Sequence, residues 1–136
     1  MDALETFNAL KWHDSKLVGM SLDRIAEEDQ IIVKLMLWAG DRLAPHVLTF
    51  KDPTIVDLNF DLTGKQLCAD DISSADCQTS SDWISELSRN SPHDNFAGYL
   101  HFEIRLIPPG GRLRILAKTF DLRTADQQSK QHQATR

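Results

Sequence analysis

The sequence has no long apolar run: the longest, Leu35 to Ala39, covers five residues, against the roughly 20 that a membrane-crossing helix needs. It has no excess of positive charge either. Fifteen Lys and Arg face twenty Asp and Glu, a net of −5, so a general nucleic-acid binder is not expected, because phosphate contact draws on clustered bases. Cysteine is scarce. Cys68 and Cys77 lack the close spacing of a zinc site, and without a signal peptide the expected setting is the reducing cytoplasm, where both read as ordinary thiols. The P-loop, the dinucleotide fingerprint, G-x-S-x-G and H-E-x-x-H are all missing, so neither a cofactor nor a metal is expected. What remains is a chain of 136 residues, 41% apolar and 26% charged, near the globular average and long enough for one domain with a real core.

Periodicity assigns the elements. Leu4, Phe7 and Leu10 at three-residue spacing predict a short amphipathic helix over 2–10. Val18, Met20 and Leu22 alternate with polar partners in 16–25, a half-buried strand. In 30–39 one face carries Ile31, Val33, Leu35 and Leu37 and the other Ile32, Met36 and Trp38, which predicts a central strand. A short strand follows over 46–51, with Pro45 restricted to a strand start or an edge. In 54–62, Val56, Leu58, Phe60 and Leu62 point inward while Ile55, Asp57, Asn59 and Asp61 point outward. The irregular stretch 63–97 holds one helix, 82–88, capped by Ser80 or Ser81 and docked by Trp83, Ile84 and Leu87. Strands 98–107 and 112–121, joined by Pro108-Pro109-Gly110-Gly111, complete a set of six. The expected fold is α+β and β-rich, with about six mostly antiparallel strands in a curved sheet or sandwich and one or two short helices packed on it. Residues 1–123 form the single domain. The tail 124–136 is too polar to offset its ordering entropy and is expected to be disordered.

Trp12-His13-Asp14-Ser15 is the conspicuous local motif. Its composition suggests a catalytic triad, but neighbours in an extended chain point to opposite sides. The reading favoured here is structural: Trp12 covers one end of the core, while His13, Asp14 and Ser15 satisfy free backbone N–H groups. A metal site from His13, His46, His93 and His101 has no supporting spacing. Asp57, Asn59 and Asp61 imitate the start of a calcium loop without its glycine or its closing glutamate. The strand face carrying Tyr99, His101, Arg105, Arg112 and Arg114 reads as cross-strand charge pairing rather than an RNA-stacking platform.

Charge is uneven. From Asp57 to Asp94 eight acids face two bases, whereas from Tyr99 to Lys118 one acid faces four. The acids Asp57, Asp61, Asp70, Asp71 and Asp76 are therefore the candidate partner-binding residues, suited to a basic protein surface.

The segments NALKWHDSKLVGMSL and YLHFEIRLIPPGGRLRILAKTFDL resemble a group of small bacterial proteins that begin on a WHDS-like motif and end on a strand–GG–strand unit. Some of these are grouped with immunity proteins of polymorphic toxin systems. The resemblance covers both ends of the chain and leaves the middle unmatched. It implies a non-catalytic cytoplasmic protein that binds another protein, such as a basic toxin, and it supplies no contact residue. Two alternatives stand beside it: a small metal-dependent hydrolase built on His13 and Asp14, and a structural domain that forms homo-oligomers through a free strand edge.

Overall fold

The computed structural model describes residues 2–25, 28–60, 71–91, 93, 96–107 and 110–125. In chain order these form helix α1 (Ala3–Asn8) and strands β1 (Lys16–Ile25), β2 (Glu28–Ala39), β3 (Arg42–Lys51), β4 (Ile55–Phe60) and β5 (Ile72–Gln78). Helix α2 (Asp82–Asn90) and strands β6 (Leu100–Leu106), β7 (Gly111–Ala117) and β8 (Asp121–Thr124) follow. Eight strands, not six, make two antiparallel four-stranded sheets, ordered β1-β2-β3-β8 and β4-β7-β6-β5. The two additional strands are β5, from within the irregular stretch, and β8, which ends on Thr124. Asp61 and Leu62, the loop prolines Pro108 and Pro109, and most of the tail (126–136) lie outside the described residues.

The sheets stack as a sandwich. Ile31, Val33, Leu35 and Leu37 of β2 and Leu48 and Phe50 of β3 meet Phe102 and Ile104 of β6 and Leu113 and Ile115 of β7 in one core. Phe50 and Phe102 cross between the sheets edge-to-face, with centroids 4.9 Å apart. Each such side chain contributes about 1.5–3 kcal/mol by leaving water. Helix α1 closes one end. Asp2 accepts from the Glu5 N–H to cap it, and Phe7, fully buried, packs on Trp12, Phe102 and Phe120.

The outer face of the second sheet carries a smaller cluster. Trp83, Ile84 and Leu87 of α2 lie with Leu116, Ile55 and Phe96, as the helix spacing requires. Ser81 is the residue that caps α2, accepting from the Ile84 N–H.

Strand β4 needs a correction. Val56 and Leu58 oppose the core residues Ile115 and Leu113, so they do sit on the inward face. Yet they are 38% and 50% exposed, because β4 is an edge strand over which the core runs out. Of the expected outward residues, Ile55 packs in the outer cluster and Asp57 is half-buried, while Asn59 is exposed; Phe60 keeps its expected place against the core. In β1 a register shift between Leu17 and Gly19 turns Leu17 inward and leaves Val18 61% exposed.

Candidate partner-binding site

The WHDS motif lies where α1 hands over to β1, and it runs alongside β5. Trp12 donates its ring N–H to the Phe7 carbonyl at 2.8 Å and stacks on the Phe7 ring. Asp14 takes a left-handed conformation (φ 64°), which points its N–H at the Ile72 carbonyl, 2.9 Å away. Ile72 in turn donates to the Ser15 carbonyl at 2.7 Å. The Ser15 hydroxyl, fully buried, donates to the Lys11 carbonyl. His13 Nδ1 lies 3.1 Å from the Ser73 carbonyl, and because a carbonyl only accepts, the proton sits on Nδ1. His13 thus contacts Ser73 and, through Nε2 at 3.5 Å, Asp14. Ser15 is bonded elsewhere, so no Ser–His–Asp relay forms here. The side-chain partners of His13 and Ser15 are carbonyls, not the N–H groups that the sequence suggests.

This segment caps both ends of the free edge of β5. Asn8, at the end of α1, donates its amide to the Cys77 carbonyl and accepts from the Cys77 N–H, at 3.1 and 2.7 Å. The WHDS turn holds Ile72 and Ser73 at the other end. Alternate residues of an antiparallel strand turn their backbone groups the same way. Ala75, which opposes Ile104, therefore also directs its N–H and C=O away from β6. Among the described residues neither group has a hydrogen-bond partner. Ala75 borders a cleft of about 500 Å³, walled by Lys11, His13, Trp38, Ser73 and Ser74.

The three candidate acids among the described residues do not assemble into one surface. Asp57 sits on β4 and receives the Arg114 guanidinium through Nε and Nη2. Asp76 sits on β5, at the opposite edge of the same sheet, and pairs with Arg105 at 3.3 Å. Asp71 is 9% exposed and pairs with Lys16 where β5 meets β1. Asp61 and Asp70 lie outside the described residues. The sequence count of negative charge overlooks these three cations because each comes from a distant segment.

His101 and Arg105 read from sequence as part of an outward, charge-paired strand face, which does not disclose that His101 is buried in a polar constellation with Glu103. His101 and Glu103, 4% and 7% exposed, lie on the outer face of β6 beneath α2. His101 Nε2 donates to Glu103 Oε1 at 2.7 Å, and Nδ1 accepts from the Ser81 hydroxyl at 2.8 Å. Glu103 Oε2 receives Arg105, which continues the chain to Asp76. Trp83 packs edge-on against His101, and the Arg114 guanidinium lies 4.5 Å from the centre of the Trp83 ring. The Ser81 oxygen is already the acceptor that caps α2. The chain therefore anchors the start of the helix to the sheet. The available signal was the amphipathic pattern of 82–88, which needed a face to cover: Leu116, Ile55 and Tyr99 supply its apolar part, and His101 packs against Trp83 beside them.

Burial pushes the Cys77 thiol up to about 12, with Asp76 and Asp2 adding to the effect. Cys77 is free, and Cys68 lies outside the described residues. Among the described residues no three His, Cys, Asp or Glu are grouped to hold a metal ion, and no helix is long and apolar enough to cross a membrane. The chain matches no known family model, no curated protein and no solved structure.

Proposed function

We propose that this chain is a non-catalytic protein-binding protein, in the manner of an immunity protein that masks a basic toxin, and that the partner docks along β4. The observation that supports this is the exposure of Val56 and Leu58, side by side on an edge strand. Free strand edges invite pairing, and folded proteins commonly blunt them. Here β5 is capped at both ends by Asn8 and the WHDS turn, which leave only a short opening at Ala75, β1 carries its irregularity at Val18, and β8 is four residues long. Strand β4 has no irregularity of register, no proline and no lysine. An extended segment of a partner can add to it through main-chain hydrogen bonds, with Val56 and Leu58 receiving its apolar side chains. The net charge of −5 favours a basic partner chiefly through the rate of encounter.

The test uses the product of the reading frame adjacent to this one. Calorimetric titration of the two purified proteins should give a 1:1 complex. Val56→Lys with Leu58→Lys should weaken it by about tenfold or more, about 1.4 kcal/mol, with the circular dichroism spectrum unchanged. No complex, or one indifferent to both lysines, sinks the proposal. Light scattering that shows a dimer dispersed by the same lysines would assign β4 to a second copy of this chain instead.

A further inference from the structure

We infer that the cleft beside Ala75 accepts the extended C-terminal end of a peptide chain, seated by its backbone on Ala75 and by its carboxylate on Lys11. The cleft lies at the opposite edge of the sheet from β4, so it stands or falls separately from the docking strand proposed above.

Three observations carry the inference. First, Ala75 presents one N–H and one C=O outward with no partner among the described residues, the pair that an added strand engages. Second, the opening is short. Asn8 occupies Cys77 and His13 occupies Ser73, so the free edge is the three residues between them, a gap of about 13 Å at roughly 3.3 Å per residue step. A strand running on in both directions would collide with those caps, whereas a chain end of two or three residues fits between them. Third, the charge of the lining opposes that of the whole molecule. The chain carries five more acids than bases, yet no carboxylate lines the cleft, and the Lys11 ammonium does. Lys11 has no ion-pair partner among the described residues. Half-buried Trp38 supplies an apolar wall for the last side chain. A terminal carboxylate on an extended backbone matches this combination of one backbone pair, a cation and an apolar wall.

The experiment follows backbone amide resonances of the ¹⁵N-labelled full chain during titration with acetyl-Ala-Ala-Val bearing a free carboxylate. The same peptide as its C-terminal amide and sodium acetate serve as comparisons. The Ala75 amide proton should move downfield and saturate, at about tenfold lower concentration for the free acid than for the amide. Lys11→Glu, on an exposed side chain, should erase that difference. Ala75→Pro, which removes an N–H outside the strand ladder, should abolish binding while the other resonances stay dispersed. If Ala75→Pro fails to fold, the Lys11→Glu titration decides. The inference is overturned if Ala75 shows no saturable shift, if the amide binds as well as the acid, or if acetate alone reproduces the Ala75 shift.

Discussion

The side-chain amide of Asn8 makes both hydrogen bonds that a neighbouring strand would make to Cys77, across 69 positions of sequence. One side chain thereby closes one end of a sheet edge. Asn8→Ala leaves the Cys77 N–H without its partner and should cost about 1–3 kcal/mol. It should also free the edge for self-association. Urea denaturation measures the first effect and concentration-dependent light scattering the second. Stability equal to the parent would mean that water replaces the amide at no loss.

The buried chain from Ser81 to Glu103 makes a second expectation. His101→Leu leaves the Glu103 carboxylate buried with Arg105 as its remaining partner, and should cost about 1–3 kcal/mol through the hydrogen bond left unmade at a buried oxygen. Replacing Glu103 by Leu as well should recover part of that loss, because the buried acceptor left without its donor goes with it. Ser81→Ala should cost about 1 kcal/mol through the lost helix cap. A double variant less stable than His101→Leu alone would show that Glu103 and Arg105 stabilise the sheet independently of the histidine.

Asp14 separates a conformational role for the WHDS motif from a chemical one. Its φ of 64° belongs to the left-handed region, which glycine enters freely and β-branched residues resist. Asp14→Gly should therefore be nearly neutral in a thermal melt, whereas Asp14→Val should cost about 1–2 kcal/mol. If Gly and Val are equally damaging, the carboxylate itself matters and the structural account of the motif fails.

The strand alternation of 30–39, 98–107 and 112–117 was legible because both partners of each core contact are apolar. Strand β5 was not. Its sequence, ISSADCQ, offers three weakly spaced apolar residues, and its place is fixed by β6, Asn8 and the WHDS turn, none of them local. Strand β8 has a single large apolar residue, Leu122, and exists through its pairing with His46–Thr49. The candidate acids were visible as letters, but their cations arrive from β7, β6 and β1. The burial of His101 and Glu103 was hidden for a similar reason: a strand face looks solvated until the helix that covers it is known.

Cys77 supplies a pH signature. With the folded thiol held near 12 and the ordinary value at 9.0, the folded state resists the thiolate that the unfolded chain forms. The stability so contributed is complete below pH 9 and drains away as pH rises towards 12, by up to about 1.4 kcal/mol per pH unit. Subtracting the denaturation profile of Cys77→Ala from that of the parent isolates this slope. A difference independent of pH across that window would refute it.

The strand order also sets a timetable for folding. The hairpins β1–β2 and β2–β3 close over neighbouring residues and can form as soon as that length of chain exists. Strand β4 must wait for β7, and Asn8 for Cys77, before either finds its partner. Closing such long loops is slow, because their entropy is lost before any contact repays it. A nascent chain therefore holds half of its core exposed until residue 117 is made, with α1, the first element synthesised, among those left waiting.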